Sequence, residues 1–159
     1  MSNHSVYHYH SPYFVLEIIA SNSSLLSLSA HLSEGKCRKD INKIVSETVK
    51  QLDEYFAGKR SIFQLPLDMD QYTNFQRDVW KALTDIPYGE TKSYREVAES
   101  IGKSSAVRAV GNACGKNPFL IVVPCHRVIK TDGSLGGFSA GIDLKKQLIS
   151  FETNIISSV

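Results

Sequence analysis

The 159 residues carry 18 Lys and Arg against 16 Asp and Glu, a net charge of +2, and 42% are hydrophobic, which excludes a disordered or fibrous chain and predicts a globular one. Near-neutrality shows no electrostatic mark of a nucleic-acid partner, no run nears the ~18–20 apolar residues of a membrane helix, and the first residues lack the basic-then-apolar pattern of a signal peptide, so secretion is not expected. Three scattered cysteines, Cys37, Cys114 and Cys125, form no disulfide framework and fit a reducing cytosol.

The first third reads as strands. Tyr7-His8-Tyr9-His10 alternates, Phe14 to Ala20 is apolar and branched, and Ser21 to Ser24 is a turn before Leu25, Leu26, Leu28 and Ala30. Two or three antiparallel strands are expected. From Asp40 the period changes, with Ile41, Ile44, Val45, Thr48, Val49, Leu52, Tyr55 and Phe56 on one helical face. Asp40 is the expected cap and Gly58 the stop. Lys59 to Gln71 reads as a connector, dividing the chain into 1–69 and 70–159. The first part holds seven basic and seven acidic residues, the second eleven and nine, so any DNA binding must come from local placement of charge.

The second part is mainly helical. Thr73-Asn74-Phe75-Gln76 is a capping box opening a helix that buries Phe75, Val79, Trp80 and Leu83, stopped at Ile86-Pro87-Tyr88-Gly89. Ser93-Tyr94-Arg95-Glu96 is a second box, opening a short helix that ends at Gly102. Ser104 or Ser105 is the expected cap of a third helix, Ala106 to about Cys114, ended by Gly115 and Asn117-Pro118. This pair is a helix-turn-helix candidate with Arg108 where such motifs reach bases, although from this segment alone a plain helical hairpin is the more common reading. Gly111 costs its helix about 1 kcal/mol, so close approach of another backbone or a DNA groove is expected there.

Phe119 to Val123 reads as a buried strand delivering Pro124-Cys125-His126-Arg127-Val128. A cysteine beside a histidine suggests a thiolate nucleophile with its base. Neighbours on a strand point to opposite faces, so Pro124 must break the pairing or a water must relay the proton. A core cysteine is the other reading. Asp132-Gly133 is a tight turn and Gly136-Gly137 a loop able to pass close to a ligand. A last helix runs from about Asp143 through Leu144, Leu148 and Phe151. Glu152 near its end opposes the helix dipole, which suits a carboxylate that orients a histidine; a solvated surface glutamate is the other reading.

Pro124-Cys125-His126-Arg127-Val128, with Gly115-Lys116-Asn117-Pro118 and the Ala109-Val110-Gly111 helix, closely resembles the O6-alkylguanine-DNA alkyltransferases over residues 73–152. Residues 1–69 match only in general pattern. The resemblance implies an α+β protein: a strand-rich N-terminal subdomain with one helix, then a mainly helical domain holding the helix-turn-helix and the reactive cysteine. It implies double-stranded DNA as partner, extrusion of an O6-alkylguanine (O4-alkylthymine being a second option), and irreversible transfer of the alkyl group to Cys125.

In that resemblance His126 is the base, acting through water and oriented by Glu152. Tyr94 crowds a phosphate and donates to the leaving base, and Asn117 ties the helix pair to the active strand. Arg108 fills the place of the extruded base, while Ala106, Ala109, Gly111 and Lys116 meet the DNA. Phe138, Ser139, Lys145 and Val128 belong to the substrate pocket. Phe138 stands where many relatives carry Tyr, and Ala140 adds a methyl where a second Gly is common. Some relatives hold zinc in the N-terminal part. Here His4, His8, His10, His31 and Cys37 lack that spacing, so neither metal nor cofactor is expected. Cys114 is expected to be a helix-end core residue. A monomer in the cytoplasm, or in the nucleus of a eukaryote, is the expected form. A damage sensor with a vestigial site and a Cys-His hydrolase are the competing readings. Cys125 argues against the branch of the family that lacks the acceptor and only binds alkylated DNA.

Overall fold

The computed structural model describes residues 4–31, 35–138 and 140–157. The chain forms two compact units: one runs to Asp70 and takes in Pro118–Leu120, the other comprises Gln71–Asn117 and the chain from Ile121 onward.

In the first unit three antiparallel strands, β1 (Ser5–His10), β2 (Val15–Ala20) and β3 (Leu25–Ala30), lie in sequence order. Alternation sorts their side chains. Tyr9, Leu16, Ile18, Ala20, Leu25 and Leu28 are buried with Ile44, Val45, Leu52 and Tyr55 of α1 (Lys43–Phe56), and Tyr9 donates its hydroxyl hydrogen to Asp53 at 2.7 Å. The cap of α1 is Asn42, whose side chain accepts from Val45 N, and not Asp40. Asp40 is drawn into pairing with β1 instead, its backbone N–H donating to Val6 O at 3.0 Å beside a Tyr7–Lys39 bridge. The open edge of β3 is met by single parallel bridges from Leu67 to Leu25 and from Phe119 to Leu28, which satisfy backbone groups an edge strand leaves bare.

In the second unit both capping boxes form, at Thr73 for α2 (Asn74–Thr84) and at Ser93 for α3 (Tyr94–Ser100). Gly102 takes φ +73 in the turn to α4 (Val107–Gly115). Ala106 holds the cap position of α4 with no side-chain cap bond, so neither Ser104 nor Ser105 caps it. Trp80 of α2 is fully buried and donates its indole N–H to Ala113 O of α4 at 2.9 Å, fixing the helix pair on its support. A two-residue parallel pair, β4 (Lys92–Ser93) with β5 (Val128–Ile129), ties the cap of α3 to the strand that follows the cysteine. The chain closes with α5 (Ile142–Ser157). Among the described residues no helix is long and apolar enough to cross a membrane.

The run Phe119 to Val123 is not the continuous strand its composition predicts. It is buried, but Ile121 takes φ +71 and breaks it into isolated bridges around a turn. Apolarity reports burial and leaves backbone direction open.

Candidate active site

Asn117 at the end of α4 and Pro124 together shape the reactive turn. Val123 O accepts from the Asn117 side-chain amide at 2.7 Å and from Cys125 N at 2.8 Å. The second bond closes an inverse γ-turn on Pro124, whose φ −81 and ψ 65 suit that geometry. Cys125–Arg127 then form one 3-10 turn. With three residues per turn, successive side chains diverge by about a third of a circle. This removes the strand objection. Cys125 lines an open pocket while His126 and Arg127 point into the protein.

That pocket has a volume of about 510 Å³. Of the described residues expected in the substrate pocket only Phe138 lines it; Cys125 and Tyr94, expected for the chemistry, and Arg108 and Gly111, expected at the DNA, line it too, together with Val107, Cys114, Gly115, Lys130, Gly136 and Gly137. The α4 contributors fall at positions 107, 108, 111, 114 and 115, one helical face. Cys114 is therefore a wall of the pocket as well as a buried residue, which corrects its reading as core alone. The face periodicity of α4 would have signalled this; nothing in the sequence singles out Lys130. A Cβ on Gly111 would meet only the Tyr94 ring at 4.0 Å, so no backbone of this chain demands the glycine, and its side stays open toward the pocket. Gly136, at φ +70, brings the loop against Tyr94, where a Cβ would lie 3.2 Å from the hydroxyl.

Behind the cysteine lies a buried polar network. His126 is fully buried, and its Nε2 lies 2.6 Å from Glu152 Oε2. Glu152 also accepts from Arg127 Nε at 2.8 Å and from Arg127 Nη2 at 3.0 Å. Burial would raise the Glu152 carboxyl, but the hydrogen bonds from His126 and Arg127 and the Arg127 charge outweigh it and hold the group well below the carboxylate range. Nε2–H is therefore the donor to Glu152. That leaves Nδ1 with the lone pair, and Nδ1 has no protein partner among the described residues. Burial pushes the His126 pKa down, only partly offset by Glu152, so the ring is neutral near pH 7. Burial likewise raises the Cys125 thiol, while the Asn117 hydrogen bond and the Lys145 charge act to lower it.

Lys145 lies outside the pocket lining. Fully buried, it donates to Leu135 O at 2.5 Å and lies 3.4 Å from Gly137 O and 3.5 Å from Tyr94 Oη, pinning the loop that passes Tyr94. Val128 is buried in β5 against Lys92 and is no pocket wall, because the strand pairing turns it inward. Ala109 and Lys116 are exposed and Ala106 half-exposed, all outside the pocket. Ser139 lies outside the described residues. Sequence reasoning gave Arg127 no role, although it stands inside the Pro-Cys-His-Arg-Val motif.

The His-rich start forms a cluster that its spacing does not reveal. His8, Glu17 and His31, from three neighbouring segments, bring their ligand atoms within 4.8 Å of one another. His8 Nδ1 accepts the Arg38 N–H at 2.7 Å, so its Nε2 carries the proton shared with Glu17 at 2.9 Å. That tautomer is opposite to the one a metal-bound His8 would need.

Residues 74–154 match the family 6-O-methylguanine DNA methyltransferase, DNA binding domain, and residues 6–69 match 6-O-methylguanine DNA methyltransferase, ribonuclease-like domain. The chain belongs to the 6-O-methylguanine DNA methyltransferase family. A Methanosarcina barkeri relative named methylated-DNA–protein-cysteine methyltransferase is 51% identical over 112 residues, 70% of each chain. Two mycobacterial relatives of the same name are covered to 62% and 64% of their own length. The crystal structure of Mycobacterium tuberculosis O6-methylguanine methyltransferase matches with a TM-score of 0.83 at 40% identity, over 95% of this chain and 93% of that one. That organism's OGT in complex with DNA matches at 0.82 and 42%, over 93% and 92%. The similarity therefore covers both units, including the N-terminal part that in sequence resembled the family only in outline.

Proposed function

We propose that this protein repairs DNA by direct reversal, moving the alkyl group from O6 of guanine in duplex DNA onto Cys125 in a single irreversible event. The observation that carries this reading is a thiol lining an open pocket, with a buried, neutral His126 held by the Glu152 carboxylate behind it. A nucleophile so enclosed cannot reach a stacked base, so the guanine must be extruded, at a cost of a few kcal/mol. Arg108, exposed on the pocket face of α4, would fill the gap in the duplex and offset part of that cost.

His126 Nδ1 takes the thiol proton through a water, and Glu152 holds the ring in the tautomer that leaves Nδ1 free. The Cys125 Sγ–carbon bond forms as the carbon–O6 bond breaks, and the electron pair passes into the guanine ring. Tyr94, its hydroxyl raised to about 12 chiefly by burial, stays protonated and donates a hydrogen bond to the departing base. The thiol is consumed, so no cofactor takes part and each molecule acts once. Action as a monomer in the cytoplasm, or in a eukaryotic nucleus, accords with this reading.

Incubation with a duplex carrying O6-methylguanine, followed by intact mass and peptide mapping, tests it. One methyl on Cys125, absent in Cys125→Ala, is expected. Binding of methylated duplex without any mass change would leave a damage sensor in its place, and turnover of a thioester would leave a hydrolase.

A further inference from the structure

Glu152 serves two partners unequally. His126 makes one bond to Oε2, whereas Arg127 takes both oxygens and sends its third donor, Nη1, to Ile86 O at 2.8 Å. The guanidinium centre also lies 5.5 Å from the Tyr88 ring, and Gly89 N lies 3.4 Å from Glu152 Oε1. The loop that ends α2 thus holds Arg127, and Arg127 holds the carboxylate.

We propose that Arg127 is a positioning residue of the transfer reaction: its two-oxygen clamp aims Glu152 at His126, and its charge limits the basicity Glu152 lends the imidazole, keeping Cys125 a latent thiol until substrate is seated. This rests on the alkyl-transfer reading for its purpose, though the charge argument stands without it.

With Arg127 in place, the Arg–Glu–His trio is neutral while His126 is neutral. A proton on His126 makes the buried trio +1, which its surroundings disfavour. The groups facing His126 are Glu152 and Lys145 from α5, Arg127 from its own turn, and Cys125 beside it. Of these only Glu152 raises its pKa, while Arg127 and Lys145 lower it further below what burial does. Without the arginine, Glu152 would raise the basicity of His126 unopposed by that charge, and the imidazole would draw more of the cysteine proton at rest. For a thiol used once, that would waste protein on any stray electrophile.

The test uses the full chain as wild type, Arg127→Gln and Arg127→Lys. Three readouts apply: ring-nitrogen NMR of His126 against pH, the rate of Cys125 alkylation by iodoacetamide followed by peptide mass, and methyl transfer from O6-methylguanine duplex. In Arg127→Gln the proton uptake of the His126–Glu152 pair moves up by about one pH unit, and iodoacetamide labelling at neutral pH speeds up about tenfold. Arg127→Lys restores the charge but not the clamp, so labelling stays at the wild-type rate while transfer slows at least ~3-fold through loss of alignment. A folded Arg127→Gln with unmoved titration and labelling overturns the proposal. If Gln prevents folding, Arg127→Lys decides, and a wild-type transfer rate in it is the overturning result. Labelling and NMR need no DNA. A wild-type protein that takes no methyl therefore refutes the alkyl-transfer reading while leaving this one to its own readouts.

Discussion

Arg108 shows how much one residue can be asked to do. It is exposed on α4 and lines the pocket with Cys125, so its side chain is free to leave the pocket face and enter a duplex. Its proposed work is confined to keeping the duplex open around an extruded base, which a free base does not require. Arg108→Ala is therefore expected to slow methyl transfer from duplex by at least ~100-fold, about 3 kcal/mol of the unstacking cost. Transfer from free O6-alkylguanine should change less than ~3-fold. Single-turnover rates on the two substrates check this, and equal losses would assign Arg108 to the pocket instead. Arg108 was visible in the sequence because an arginine in the first turn of a small-residue helix is conspicuous. Arg127 was not, because its importance comes from Glu152, 25 residues away in the chain and brought to it only by packing.

At the scale of elements, local chemistry was legible and backbone direction was not. The boxes at Thr73 and Ser93 are written in residues three apart, and both form. The Asp40 cap failed because strand pairing claimed that residue, and the Ser104 or Ser105 cap failed because the turn brings Ala106 to the cap position. The Phe119–Val123 strand failed at Ile121, a branched residue in the left-handed region at φ +71, which no propensity argument would place there. Two costs compete in Ile121→Gly. Relief of the left-handed conformation returns about 1–2 kcal/mol. Deletion of a side chain that is 1% exposed costs about 2–5 kcal/mol, with further backbone entropy of about 0.5–1 kcal/mol. Burial wins: the variant is expected to be less stable by roughly 2 kcal/mol, read as a lower urea midpoint at unchanged slope. A higher midpoint would mean that the strained turn, and not the buried side chain, dominates at this position.

For the whole molecule, the buried titratable groups around Cys125 set how stability responds to pH. His126 is pushed below its ordinary 6.5, so the unfolded chain binds a proton that the folded chain refuses. Its contribution is full above about pH 6.5 and falls as pH drops. Glu152 is held below its ordinary 4.5, so its contribution is full above that value and is lost on further acidification. Both signs agree, and the acid limb should descend in two stages. On the alkaline side Cys114 is raised to about 12 and Cys125 is raised as well, chiefly by burial, while an unfolded thiol ionises near 9. Stability from both is full below pH 9 and falls above it. Tyr94 adds the same sign above its ordinary 10. Lys145 acts the other way, because its folded pKa is lowered and it gains as pH rises toward 10.5, but it is one group against three. Urea midpoints of the full chain should therefore be flat from about pH 6.5 to 9 and lower on both sides. Cys114→Ala should flatten part of the alkaline limb and leave the acid limb unchanged. An alkaline limb that Cys114→Ala leaves as steep as in the wild type would show that the thiols in the pocket wall are not what the folded state protects.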